Sequence, residues 1–217
     1  MSVTELWRGS LAVKTVTIVI CLMLFAIGIP TLFSILGAIV LAGGCWMALR
    51  GGAQAGHAAA GISAEIDDIM RSEDRRGQVD PKMLKQAYSP SHGVAALFAG
   101  ALVDYVINCV YIAMMLLGAQ ESLLYASRFA SFTVLMPFWS ILSIWHDTYT
   151  VLSPDIVLAL MAGPFLIPLF QMIGYLQGPK LWKKTEEAMA QGRRRAKARS
   201  RIGNRKKREV RIRKPEI

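Results

Sequence analysis

One acidic residue, Asp104, lies near the centre of residues 93–118, a stretch that is otherwise uncharged and strongly apolar. In a hydrocarbon core an ionised carboxylate costs at least about 2.5 kcal/mol, so it must meet protein or water rather than lipid. Residues four apart share one face of a helix, and this spacing relates Ala96, Gly100, Asp104 and Asn108. Two roles remain open for this face: an ion or proton path, or a hydrogen-bonded carboxyl group that fixes helix packing.

A second pair of polar residues, Gln171 and Tyr175, lies four residues apart in the last apolar stretch, residues 156–177. Because both side chains can form hydrogen bonds, we expect them to be the partners of Asp104. The candidate polar site inside the apolar body therefore consists of Asp104, Asn108 and Gln171.

The other residues that could do chemistry do not form a recognisable site. His146 and Asp147 are adjacent, but no second His or Cys lies at ligand spacing, so a polar interfacial connection is expected. The acidic residues within 65–74 match no calcium loop and fit a solvated helix face. The three cysteines form no C-x-x-C pair and are expected to be small buried residues: Cys21, Cys45 and Cys109.

Catalytic motifs are also missing from the sequence. It contains no Gly-x-Ser-x-Gly elbow, P-loop, dinucleotide-binding glycine fingerprint or His-Glu-x-x-His helix. We therefore expect no catalytic, cofactor-binding or metal-binding residues, and predict that the protein is not an enzyme.

Charge is unevenly distributed along the 217 residues. The chain as a whole carries a net charge of +10, but residues 180–217 carry +12 and residues 1–179 carry −2. Overall 18% of residues are charged and 53% are apolar, whereas soluble domains average about 25% charged residues. The composition therefore describes an apolar body with a basic tail, and disfavours a soluble globule, a disulfide-rich secreted domain and a fully disordered chain.

Five apolar stretches could position the polar residues. An uncharged run of 35 residues, 15–49, is too long for one crossing of about 20 residues. The sequence at 28–30, Gly-Ile-Pro, divides it into a predicted helical hairpin over 15–29 and 31–49. A cleaved signal peptide is the alternative, but the run is too long and lacks an Ala-x-Ala site. The other three stretches are 93–118, 129–145 and 156–177.

The basic residues predict the topology, because Lys and Arg near span ends resist translocation. Four crossings with both termini in the cytoplasm leave only Arg128 outside. We therefore predict an all-α polytopic membrane protein with four transmembrane helices and one re-entrant or interfacial segment. Five crossings are the alternative, and would place the N-terminus and residues 50–92 outside.

Small residues recur at intervals of four from the second apolar segment into the following loop. As a helix, this pattern would form a smooth ridge against which another helix could pack closely. A flexible Gly/Ala-rich linker is the alternative, since each Gly costs about 1 kcal/mol in a helix. We call this set the small-residue ridge: Gly44, Ala48, Gly52, Gly56 and Ala60.

The C-terminal tail is dominated by Lys and Arg, which make up 13 of the 22 residues from 193 to 214. Like charges at this density repel, so we expect a disordered tail that contacts anionic lipid of the inner leaflet. Nucleic acid or an acidic protein is the alternative partner. The candidate contact residues are Arg193, Arg194, Arg195, Lys197, Arg199, Arg201, Arg205, Lys206, Lys207 and Arg208.

These features divide the chain into four parts. They are an N-terminal arm with a helical hairpin, a cytoplasmic loop with short helices, a group of membrane helices and the basic tail: 1–49, 50–92, 93–179 and 180–217.

The length, the N-terminal hairpin and the basic tail together resemble small inner-membrane proteins of conjugative plasmids, including entry-exclusion proteins that block redundant DNA transfer. The resemblance implies a bacterial inner-membrane location, contact with a transfer-channel protein and no catalytic residues. It concerns layout alone and transfers no site.

Two functions follow as hypotheses. The first is a non-enzymatic membrane interaction protein that joins a membrane protein partner or a second copy of itself, as in conjugative DNA transfer. The second is a channel or transporter subunit that uses Asp104. A third class, a membrane enzyme, lacks a catalytic constellation.

Overall fold

The computed structural model describes residues 3–72, 79–142 and 154–212, and within them it contains helices and no strand. Of the described residues, 91% are helical. Seven α-helices follow one another, with a short 3₁₀ turn at Gly163–Phe165 before the last. They are α1 (Val3–Ala26), α2 (Pro30–Arg71), α3 (Pro81–Gln86), α4 (Pro90–Leu116), α5 (Glu121–Leu142), α6 (Pro154–Leu160) and α7 (Leu166–Ile212).

Within the described residues, four helical segments are long and apolar enough to cross a membrane, which confirms the all-α membrane fold. They are α1, α2, α4 and the segment Ile156–Arg195, which includes the first part of α7. The remaining apolar stretch, 129–145, lies in α5 as far as Leu142. Helix α5 is not among the four candidate spans, and it packs against α1, α2 and α4.

The N-terminal hairpin turns where the sequence predicts, but its helices extend much further. Gly28 adopts a positive φ of 74°, a conformation that glycine tolerates best, and Pro30 begins α2. Helix α1 starts at Val3, twelve residues before the predicted start at 15. The prediction excluded Lys14 from the helix because of its charge, whereas the structure buries Lys14 in a pair with an acid.

The second helix does not end near residue 49. Helix α2 runs unbroken for 42 residues, so the first part of the predicted loop 50–92 is helical. It lies beside α7, and the two helices run parallel, since Gly52 faces Gln171, Gly56 faces Tyr175 and Gly61 faces Trp182. Tight packing against α7 offsets the low helix propensity of the glycines.

Helix α5 enters the centre of the bundle. Six consecutive residues, 135–140, are buried on all sides, with Pro137 among them. Ser140 lies against Gly37 of α2, and Phe138 lies against Gly163 of the 3₁₀ turn. Neighbouring protein therefore surrounds the backbone where proline interrupts the helical hydrogen bonding, as a membrane interior requires.

The tail also differs from the prediction, because α7 continues as a helix through the basic sequence to Ile212. The prediction of disorder rested on repulsion between like charges. Arg, Lys and Ala are, however, good helix formers, and α7 is already nucleated by its packed first half, so each added residue extends an existing helix.

Candidate functional site

An ion pair is buried between two of the crossing helices. Lys14 of α1 lies against Asp104 of α4, and each side chain is only 5% exposed. The Lys14 Nζ donates a hydrogen bond to a carboxylate oxygen of Asp104 and another, of 2.7 Å, to the carbonyl oxygen of Gly100. The carboxylate therefore meets a cation, and the cation meets two oxygen acceptors.

This arrangement corrects the expected partners of Asp104. Gln171 donates its Nε2 hydrogen bond to the carbonyl oxygen of Leu6, at 2.7 Å. The Tyr175 hydroxyl accepts a 3.4 Å hydrogen bond from the Ser89 amide. Sequence reasoning missed Lys14 because it was assigned to the N-terminal arm, before the first membrane helix. The signal was available: Lys14 directly precedes the 35-residue uncharged run, where an earlier helix start would bury it.

The remaining polar residues extend this pair into a layer that joins four helices. Asn108 of α4 accepts a 2.6 Å hydrogen bond from Ser131 of α5 through its Oδ1 atom. Gln171 connects α7 with α1. Asn108 is fully buried and Gln171 nearly so. Each bond ties one helix to another, so this polar layer fixes the relative positions of α1, α4, α5 and α7.

Two buried polar atoms in this layer have no hydrogen-bond partner within the part of the chain that the structure describes. They are the Ser10 hydroxyl and the Asn108 Nδ2 amide. Ser10 lies beside Gly100, at the level of the ion pair. Across the described residues, no group of three His, Cys, Asp or Glu side chains is placed to hold a metal ion.

The small-residue ridge of α2 faces two different neighbours. A side chain on Gly44 would collide with Thr17 of α1. Further along, a side chain on Gly52 would overlap the backbone of Gln171, and one on Gly56 would overlap the backbone of Tyr175. Ala48 and Ala60 are also buried. The ridge therefore packs first against α1 and then along α7.

Helix α7 has its own small residues at the same contact, which the sequence analysis missed. A side chain on Gly174 would overlap the Leu49 carbonyl, and one on Gly178 would overlap the backbone of Gly56. Gly52-x-x-x-Gly56 thus faces Gly174-x-x-x-Gly178, an arrangement that lets two backbones approach closely. The second G-x-x-x-G spacing is the signal that could have identified the partner of the ridge.

Beyond this contact, residues 52–71 of α2 and 174–195 of α7 form a unit that we call the stalk. Gly61 is covered by the Trp182 ring, and His57 lies 3.2 Å from the Thr185 hydroxyl through its Nε2 atom. At its base, Tyr88 stacks on Tyr175 with ring centroids 5.2 Å apart. Burial raises the pKa of the Tyr88 hydroxyl above its ordinary value.

The base of the stalk is also fastened to the segment that precedes α4. The Tyr88 amide donates a 2.8 Å hydrogen bond to the Ser63 hydroxyl. A small apolar cluster joins the same helices and α1: Leu6, Ala55, Ala59, Ala96 and Tyr175. The stalk and the membrane bundle therefore share continuous packing.

Several predicted residues lie elsewhere. Arg193, Arg194 and Arg195 are exposed at the far end of the stalk. Cys109 is exposed, unlike Cys21 and Cys45, because its face of α4 points away from the neighbouring helices. Two of the predicted residues lie outside the described residues: His146 and Asp147. For the rest of the basic segment the structure describes the helix but not the side chains: Lys197, Arg199, Arg201, Arg205, Lys206, Lys207 and Arg208.

These features define a bundle held together by a buried polar layer, from which a stalk of two parallel helices extends. Comparison of the chain with protein-family models, curated proteins and solved structures finds no match.

Proposed function

We propose that this protein is a non-enzymatic membrane interaction protein whose bundle holds a stalk that contacts a partner. The observation that carries the proposal is the length and packing of α2 and α7. They contain 42 and 47 residues, whereas one crossing takes about 20. At 1.5 Å per residue, α2 extends about 33 Å beyond the membrane core. Where α2 leaves the membrane core, Gly52 and Gly56 pack against the backbone of α7 and hold the two helices together.

The stalk and both termini face the cytoplasm of a bacterial cell in this proposal. The support is the distribution of basic residues, since residues 180–217 hold 16 of the 25. Lys14, a basic residue of the N-terminal arm, is not counted in this argument because the structure buries it within the bundle. The stalk carries the basic end of α7 away from the bilayer. In this proposal it contacts an anionic partner, and nucleic acid or an acidic protein stands ahead of inner-leaflet lipid, whose attraction falls off close to the membrane surface.

Photocrosslinking in native membranes tests the proposal. A photoreactive amino acid at Met189, which is exposed on the stalk, is expected to give a discrete protein adduct. The same group at Phe98, exposed on α4, is expected to react mainly with lipid. If the Met189 and Phe98 positions gave the same protein adduct, or if Met189 gave no protein adduct, the result would contradict a partner-binding stalk.

A variant that disturbs the stalk provides the matched control. Gly52→Leu forces α2 away from the α7 backbone, so the Met189 adduct is expected to fall at unchanged protein level. Gly51→Leu adds the same side chain at a position with open space around it. The adduct is expected to persist in that variant.

Entry exclusion in conjugative DNA transfer is the specific form of this proposal that the layout implies. Recipient cells that produce the chain are expected to receive the related plasmid less often than cells that produce the Gly52→Leu variant. Equal transfer frequencies would reject entry exclusion, and the crosslinking result would still decide the general proposal.

A channel or transporter subunit is the second candidate. The buried Lys14–Asp104 pair favours it, together with the unpartnered Ser10 hydroxyl beside Gly100. Purified protein in liposomes would then carry ions or protons, and Asp104→Asn would abolish the flux. Liposomes that remain tight with the wild-type chain would reject this candidate.

A further inference from the structure

A groove opens on the side of the bundle between α2, α5 and α7. It has a volume of about 460 Å³ and is lined almost entirely by apolar atoms. Leu41 and Cys45 are buried there, whereas Ala42 and Trp46 are exposed. The residues that form its walls include Leu41, Ala42, Cys45, Trp46, Leu166 and Phe170.

The position of the groove along α2 places it in one leaflet. Helix α2 begins at Pro30, and the groove extends from Ala38 to Leu49. At 1.5 Å per residue, these positions lie about 12 and 28 Å from the start of the helix. The hydrocarbon core is about 30 Å thick. The groove therefore covers the half of the core nearest the stalk, and is as long as one leaflet is deep.

A cation lies just beyond the stalk end of the groove. Arg50 is exposed and lies one helical turn beyond Trp46, on the same face of α2. Trp46 is 64% exposed, and tryptophan at this depth is typical of the membrane interface. The nearest acidic residues along the two helices are Glu65 in α2 and Glu186 in α7, both far along the stalk. The guanidinium is thus placed for an anionic group at headgroup level.

We propose that this groove binds one acyl chain of an anionic phospholipid from the leaflet on the stalk side, with its phosphate at Arg50. A groove open to the bilayer that stayed empty would forfeit van der Waals contacts along its whole wall. An acyl chain supplies those contacts, and an Arg fork matches the geometry of a phosphate. This site belongs to the membrane bundle and does not depend on a partner of the stalk.

Native mass spectrometry of the full chain from nanodiscs tests the proposal. The discs contain phosphatidylglycerol and phosphatidylcholine in equal amounts. The wild-type protein is expected to retain one phosphatidylglycerol in preference to phosphatidylcholine. Arg50→Gln is expected to lower that preference about fivefold, since a basic residue near the surface contributes about 1 kcal/mol to anionic lipid contact. Equal retention of both lipids by the wild type would overturn the proposal.

Two further variants separate the groove from general surface charge. Arg8→Gln removes an exposed cation at the stalk side of α1, outside the groove, and is expected to keep the lipid. Ala42→Phe fills the groove from an exposed position and is expected to lose it. Equal losses in Arg8→Gln and Arg50→Gln would overturn the proposal. Retention of the lipid in Ala42→Phe, or a dimer in place of the lipid, would also overturn it.

Discussion

At the scale of single residues, an ion pair, Lys14–Asp104, is buried in the bundle between α1 and α4. Each charge alone would be costly in a membrane interior, and each is stabilised by the other, while the Gly100 carbonyl accepts a further hydrogen bond from Lys14. Such a pair contributes little net stability relative to apolar residues of similar size, but the loss of one partner is severe. The pair therefore specifies how α1 sits on α4.

A double-mutant cycle measures this role. Asp104→Leu leaves a buried lysine without its acid and is expected to lower the free energy of unfolding in detergent by about 3 kcal/mol. Lys14→Met should have a similar effect. The double variant is expected to recover most of the loss. Additive losses in the double variant would show that the two charges act independently.

At the scale of helices, the α2–α7 contact depends on which glycine faces the partner. Gly51 and Gly52 are neighbours in the sequence, yet a Cβ on Gly51 would meet nothing within 4 Å, and one on Gly52 would overlap the Gln171 backbone. The rigid obstacle is main chain rather than a side chain that could rotate away. Small size is therefore required at Gly52 and not at Gly51.

Alanine at these two positions is expected to change stability in opposite directions. Gly51→Ala should raise the free energy of unfolding by up to about 1 kcal/mol through helix propensity. Gly52→Ala should lower it by about 1–3 kcal/mol through overpacking. Equilibrium unfolding of the two variants in the same detergent provides the comparison. Equal effects would contradict close α2–α7 packing.

At the scale of the whole molecule, if the four candidate spans all cross the membrane, a single crossing, that of α4, separates the stalk from the α4–α5 connection. Gln120 lies in that connection and is exposed, as is Met189 on the stalk. The bundle thus presents a short turn on one side and two long helices on the other. A partner that binds the stalk must approach from the side that also holds the N-terminus.

Labelling with a membrane-impermeant thiol reagent tests this arrangement. In a Cys109→Ala background, Gln120→Cys is expected to react in intact cells, and Met189→Cys only after the membrane is permeabilised. The two native cysteines that remain are buried. Labelling of both new cysteines in intact cells would contradict a membrane crossing between the α4–α5 connection and the stalk. The reverse pattern would contradict a cytoplasmic stalk.

Much of the fold follows from local sequence. Composition alone predicts membrane helices, because uncharged runs of sufficient length have few other stable environments. The turn at Gly28 and Pro30 follows from backbone sterics. The start of α1 was less predictable: the helix begins before Lys14, because the contact with Asp104 stabilises a lysine that the local sequence disfavours in a membrane helix.

The sequence by itself determined that this chain is a helical membrane protein with a basic C-terminal segment and one costly carboxylate in an apolar stretch. Only the tertiary structure decided that Lys14 neutralises Asp104, and that the small-residue ridge meets Gly174 and Gly178 of α7. The physical reason is that hydropathy and charge act on each segment separately. The pairing of a cation with an anion, or of one glycine face with another, depends instead on how distant helices are placed side by side.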